Sequence, residues 1–402
     1  MRKRRGLAGL ALLLGTAVVA LALGVGHAGP LFDVVLYRPA PRGMHAAIPL
    51  PDGGVLLVGG LLPQANAVYT PGADRWRDLH MPAVGPRFGK AVAPLVDGRV
   101  LQCGGTDGAP AYSAARTDIF DPIGERWVAA ASMTIGRAEH SATTLPDGRV
   151  LAVGGEVLAG RGGPFGTSGS ALPARPPDIT SSTEIYDPVA GRWAAGPPVQ
   201  FGRSMHTATL LGGGQVLVVG GRGPGNAPAL VGPAERFDPR RGAWAFAGAP
   251  FAARTDHTAT RLPDGGVLVV GGVGADGRWT AAAERYSPAD DTWQIVPPLR
   301  SARANHAAVL LPSGEVLVVG GDGPGLGALA SVERFDPATA TWHAGAPLAV
   351  ARSWHTATLL PDGRVLVVGG IGPGSTILAS TEIYDPALDR WQDGPPLTRR
   401  RW

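Results

Sequence analysis

Seven arginines recur along this chain: Arg42, Arg87, Arg137, Arg203, Arg254, Arg303 and Arg352. A guanidinium is a planar fork that can give a carboxylate two parallel hydrogen bonds, so a set of them on one surface could hold an anion. Three residues after each comes a histidine (His45, His140, His206, His257, His306 and His355), except that Lys90 takes the second place. Many imidazoles invite a metal, but ligation needs three or four donors about 2.0–2.2 Å from one ion. Histidines dealt out one per repeat diverge from any single point, so hydrogen bonding is their expected work. Between these arginines and histidines only Glu139 and Asp256 are acidic. They are the candidates for general acid–base chemistry. Cys103 is the single cysteine, so no intrachain disulfide forms. It stands just before a Gly-Gly pair, in an apolar run, where it reads as a small core hydrophobe.

The elements that must position these groups follow from spacing. Each arginine precedes the first glycine of a Gly-Gly pair by 17 residues in all seven copies, as from Arg352 to Gly369. An aromatic residue precedes a tryptophan by 7 residues in all seven, as from Tyr69 to Trp76. The interval between Gly-Gly and the aromatic varies, from 9 residues after Gly60 to 31 after Gly155. Surface loops tolerate insertion and regular elements do not, so that interval is a loop and the others are framework. A repeat of about fifty residues means one small unit arrayed many times.

Each unit reads as four short strands. The first runs over 206–211 and its equivalents, and a Pro-Asp-Gly turn such as 361–363 closes a hairpin. The second, at 216–219, is apolar without alternation and is expected to be buried on both faces. The third carries Glu184 to Asp187 and stops at a proline, which cannot donate to a ladder. The fourth begins at the tryptophan and ends at Pro-Pro or Ala-Pro. The glycines permit close approach and positive φ, and the tryptophan has the apolar area to fill a gap between neighbouring units. Strands at this spacing, without helices, give an all-β radial array.

Gly-Gly, then Tyr or Phe with Asp-Pro, then Trp resembles the kelch motif that builds β-propeller blades. The likeness spans roughly 42–398 and implies an all-β, seven-bladed kelch-type propeller with repeats starting near 42, 87, 137, 203, 254, 303 and 352. The WD-type repeat, about 40–45 residues long, fits less well. In kelch propellers that capture acidic peptides, arginines at this motif position contact the ligand around the channel mouth. The resemblance implies the same for the seven arginines here. If the first strand crosses from one face to the other and the second returns, the loop after Gly-Gly lies on the arginine side. Two kelch-type enzymes offer alternatives. Galactose oxidase holds copper with two tyrosines and two histidines, one tyrosine being crosslinked to a cysteine. Here Tyr69, Tyr186, Tyr286 and Tyr384 occupy the framework position, leaving Tyr37 and Tyr112. An N-acetylneuraminate epimerase-like propeller moves protons with channel acids, for which Glu139 and Asp256 are the candidates.

Residues 1–28 stand apart. Arg2 to Arg5 are basic and 7–25 are apolar and uncharged, which is an export signal or a membrane anchor. The formal charge of +4 contains those four basic residues and no acid before Asp33, so the body is near neutral. A nucleic-acid binder should carry a basic excess, so that class is set aside. The basic tail at 399–402 reads as a solvated end. Lysine occurs only at Lys3 and Lys90, while arginine is abundant.

The sequence therefore predicts an exported protein, secreted, periplasmic or anchored with the propeller outside, its propeller at 31–398. Its expected function is non-catalytic binding of an anionic peptide, protein or glycan through the arginine-bearing face. It is expected to need no cofactor or metal and to meet a membrane only through its N-terminus. A carbohydrate-directed enzyme, epimerase- or mutarotase-like or galactose-oxidase-like, is the alternative. Residues 31–37 are expected to pair where the ring closes.

Overall fold

Each repeat folds into one four-stranded antiparallel sheet, its strands hydrogen-bonded in chain order from the inner edge outwards. The computed structural model describes residues 45–59, 66–79, 87–107, 113–158, 178–225, 230–325 and 327–398, with the backbone of 18–21 and 32–35. The seven blades span 45–79, 91–130, 141–196, 207–246, 258–296, 307–345 and 356–394, and are numbered I to VII. Among the described residues the only helices are two three-residue 3-10 turns.

The second strands explain why the blades stack. Val216–Val219, Val316–Val319 and Val365–Val368 are buried on both faces, because each blade is covered by a neighbour on either side. β-branched residues suit this place, being stiff and well packed on a pleated surface. The outer strand instead alternates. In Arg192–Gly196 only Trp193 is buried, and the residues around it meet solvent.

The constant interval of 7 is a register. Tyr186 lies directly opposite Trp193 across the outer hairpin, as does each equivalent pair. Their ring centroids stand 4.9–5.4 Å apart, tilted. The indole N–H then reaches the preceding blade: Trp244 donates to Pro197 O at 2.9 Å and Trp342 to Pro297 O at 2.7 Å. Six of the seven tryptophans bond across an inter-blade seam in this way, Trp127 being the exception among the described residues.

Small differences from expectation have local causes. The inner strand is Thr207–Leu210, one residue shorter at each end, because His206 sits before the ladder. The outer strand starts one residue before its tryptophan, at Arg192 in blade III, paired with Asp187. The close approach expected at the first glycine of each pair is made by backbone: Gly104, Gly154, Gly220, Gly271 and Gly320 abut the next blade's arginine carbonyl. A Cβ at Gly154 would lie 2.2 Å from Arg203 O. That contact, at φ +62, admits glycine alone.

Blade VII closes on blade I without lending a strand. Trp76 donates to Pro395 O at 3.1 Å, Thr398 to Asp78 at 2.6 Å, and His45 meets Thr356 at 3.2 Å. The backbone of 32–35 pairs with 18–21, and Val34 lies opposite Val309 of blade VI, while 32–35 also lies against the inner strands of blades V and VII. The rest of residues 1–28, expected to be an export signal or anchor, and the 399–402 tail lie outside the described residues.

Candidate functional site

The arginines come first, and their placement corrects the expectation. Arg137, Arg203, Arg254, Arg303 and Arg352 have no solvent exposure and Arg87 has 4 %. Each guanidinium is spent inside its own blade. Arg137 donates to Gly154 O at 2.7 Å, to Ser182 O at 2.9 Å and to Glu184 Oε1 at 2.9 Å. The bond to the glycine carbonyl is the constant interval of 17, repeated from Arg303 to Gly320 and from Arg352 to Gly369. The acid stands two residues before the framework aromatic: Glu184, Glu235, Glu284, Glu333 and Glu382, with Asp118 in blade II. The same carboxylate accepts backbone N–H groups of the segment leading to the arginine, as Glu382 does from Ala349 at 2.7 Å and Val350 at 3.2 Å. Arginine and acid together pin that segment to the blade. These six arginines are framework, not ligand contacts. Arg42 lies outside the described residues, and its blade carries buried Ala67 where the others have the acid.

The histidines form an inter-blade belt. His206 meets Ser141 Oγ at 2.8 Å, His257 meets Thr207 at 2.9 Å, and His306 meets Thr258 at 2.8 Å. Each hydroxyl belongs to the residue that follows the preceding blade's histidine. Blade II offers Lys90 and Ala91 there, so His140 turns to Cys103 Sγ at 3.4 Å. Burial pushes His306 down to about 3 and holds His140 and His355 well below the ordinary value, so these rings are neutral. Burial also pushes the Cys103 thiol up to about 12, which leaves it protonated and inert.

Among the described residues the donors do not suit copper. Tyr69, Tyr286 and Tyr384 give their hydroxyls to Asp74, Asp291 and Asp389 at 2.5–2.7 Å, against the outer tryptophans. Cys103 is on an inner seam beside His140, away from those rings. Tyr37 and Tyr112 lie outside the described residues.

The position two residues after the arginine behaves differently. It is left-handed in every described blade: Gly89, Glu139, Met205, Asp256, Asn305 and Trp354 have φ of 55–65°. Backbone bonds run from blade to blade through it. Glu139 N donates to Gly89 O at 2.8 Å, Met205 N to Glu139 O at 3.0 Å, Asn305 N to Asp256 O at 3.2 Å, and Trp354 N to Asn305 O at 3.1 Å. This ring frames the mouth of the central channel. The residue after each arginine pairs with the residue after Gly-Gly, as Ser204 with Arg222 and Ala304 with Asp322. The variable loops therefore stand on the same face as the ring.

That ring brings Glu139 and Asp256 to one mouth, in blades III and V. Met205, Asp256 and Trp354 line a cavity of about 310 Å³ with Arg222, Leu230 and Val273. Asn305 Nδ2 donates to Asp322 at 2.8 Å, which fixes its amide. A groove of about 460 Å³ on the outer wall beside Tyr186 is larger, but its Arg99 is held by Asp97 at 2.7 Å and its walls are repeat framework. The mouth gathers the side chains that differ between blades. The sequence offered a signal for it: between the constant arginine and the histidine three residues later, this column reads Met44, Gly89, Glu139, Met205, Asp256, Asn305 and Trp354.

The kelch motif matches residues 302–349 and 355–398. No curated protein sequence matches the chain. Among solved structures, a fungal alcohol oxidase of the AA5 family in complex with copper is similar at 21 % identity and a TM-score of 0.64, over 84 % of this chain and 72 % of that one. A protein titled YjhT is similar at 15 % identity and a TM-score of 0.57, over 78 % of this chain and 98 % of that one. At those identities the likeness is one of fold. With seven blades built on the same arginine, Gly-Gly, aromatic and tryptophan frame, this chain is a kelch-repeat β-propeller protein.

Proposed function

We propose that this propeller is a non-catalytic binding module whose site is the channel mouth on the arginine side, and that its ligand is a polyhydroxylated one, a glycan. One observation carries the reading. Five of the six described ring positions hold non-glycine residues at φ of 55–59°, which costs an L-residue about 1–2 kcal/mol each. The chain has 60 glycines and uses one at this place only in blade II. Large, unlike side chains kept in a strained column are a mark of function.

The side chains suggest the ligand. Trp354 offers a flat apolar face for a sugar ring, and Asp256, Asn305 and Arg222 offer acceptors and donors for hydroxyls. The anionic preference rested on the arginines, six of which have their charges met by buried acids, and it is not carried into the proposal. An exported location remains part of the proposal, resting on residues 1–28.

A glycan and peptide array probed with the purified protein tests this. Glycan signals that vanish in Asp256→Ala and Trp354→Ala support it. Signals that survive both changes place the site elsewhere. A second reading, a carbohydrate-directed enzyme, is favoured by the presence of both Glu139 and Asp256 in the ring. Turnover of a bound glycan, lost in Asp256→Asn while binding persists, would establish it.

A further inference from the structure

Blade II breaks the repeat at two consecutive places in the mouth wall. Gly89 is the one glycine of the described ring, and Lys90 stands where the other six blades carry histidine. Lys90 is also the sole lysine beyond position 3 in a chain that otherwise uses arginine for its basic groups. A residue needed only to fill that seam would be served by the histidine used everywhere else.

The neighbouring blade answers both changes. The Glu139 carboxylate leans over Gly89, so that a Cβ there would lie 2.8 Å from Glu139 Oε1. The missing side chain makes room for the carboxylate. Lys90 is buried one residue below the ring, and its Nζ donates to Arg87 O at 3.1 Å. Among the described residues two charges act on the amine. The Arg87 guanidinium, itself paired with Asp118, opposes an ammonium, and Glu139 favours one. Burial, with Arg87 adding to it, outweighs Glu139 and brings the amine down to about 7. A buried lysine of this kind is the usual origin of an imine-forming amine.

We propose that Lys90 and Glu139 form a reactive amine–acid pair in the channel mouth that captures an aldehyde or ketone as an imine. The neutral amine adds to the carbonyl carbon, forming the C–N bond. Glu139 carries one proton from nitrogen to the carbonyl oxygen, making a hydroxyl, then takes the second N–H proton and gives it to that hydroxyl, which leaves as water as the C=N bond forms. Amine and carbonyl give imine and water, with no oxidant or reductant. Hydrolysis reverses the step. The pair stands apart from the glycan reading, needing neither Asp256 nor Trp354.

The test uses the full chain with acetaldehyde and cyanoborohydride, read by peptide mapping, with Lys3 as the internal ordinary lysine. At pH 7 Lys90 should be alkylated at least about tenfold faster than Lys3, since an amine titrating near 7 is far more neutral there than one near 10.4. Its rate should rise through a midpoint near 7. Glu139→Gln removes the charge that favours the ammonium, so the midpoint should fall, and loss of the proton carrier should slow the reaction above it. Glu139→Asp, which keeps the charge but draws it back, should also be slower and serves if the glutamine variant does not fold. Lys90 reacting no faster than Lys3 in folded protein overturns the proposal. So does an unchanged rate and profile in folded Glu139→Gln and Glu139→Asp.

Discussion

Two columns of this propeller, two residues apart in every repeat, obey opposite rules. The arginine column is identical in sequence and, in the six copies described, buried and bonded to its own blade. The column two residues later differs in every described blade, is strained, and frames a cavity. Identity in a repeat reports what the array needs to stack. Difference at a symmetric position reports what the ring does that a single blade cannot. The histidine belt falls with the arginines: its role is inter-blade bonding, and its neutrality follows from burial.

The largest effect that could sharpen this contrast is acid unfolding. Folded His306 titrates near 3, and His140 and His355 lie well below the ordinary 6.5. The unfolded chain therefore binds more protons between those limits, so stability is full above about pH 6.5 and is lost as pH falls towards 3. Each such histidine contributes about 1.4 kcal/mol per pH unit in that window. Circular dichroism melts should show the melting temperature dropping steeply below pH 6. A melting temperature that is flat from pH 7 to 4 would show that the rings are protonated in the fold.

Next is the arginine column itself. Arg254→Ala strips Glu284 of its partner in a buried site and should cost about 3–5 kcal/mol in urea unfolding. Asp256→Ala, two residues away, should cost under about 1 kcal/mol. If both changes cost the same, the two columns are not distinct.

This contrast also explains how far the sequence could be read. The intervals of 17 and 7 are hydrogen-bond and register distances, so the blades, their number and the variable face were all legible. The arginine's role was not, because a guanidinium in a strip of sequence looks the same whether it faces a ligand or a buried acid. The deciding signal was the glutamate two residues before each aromatic, which matches the arginine copy for copy from Glu184 to Glu382. Asp118 keeps that match in blade II and Ala67 breaks it in blade I. Glu139 and Asp256 stood out as acids, and their place two residues after the arginine puts them in one column with Trp354 and Met205, but the left-handed backbone that joins this column into a ring is seen only in the structure.

A smaller effect tests the belt at its weak link. His355 meets Ala307, where four other seams supply a threonine or serine hydroxyl. Among the described residues neither ring nitrogen of His355 makes a well-formed hydrogen bond, beyond a loose approach to the Val319 backbone. Ala307→Thr, which copies Thr207 and Thr258, should supply one and raise stability by about 0.5–1.5 kcal/mol in urea unfolding. No gain would mean that the seam between blades VI and VII has no room for the hydroxyl.

The smallest change in stability is expected from the most drastic change at the mouth. Glycine at Asp256 and Trp354 would remove both groups proposed to hold the ligand. Glycine relieves the left-handed backbone, worth about 1–2 kcal/mol for an ordinary L-residue and less for Asp. It adds unfolded-state freedom worth about 0.5–1 kcal/mol in return. Both side chains are only partly buried, so little packing goes with them. The terms nearly cancel, and the doubly substituted protein should melt within a few degrees of the parent. Its binding of any glycan found on the array should fall at least about a hundredfold, the two lost groups each being worth at least about 1.4 kcal/mol. A protein that instead melts far lower would make the ring a structural collar, and its variety of side chains would then need another cause.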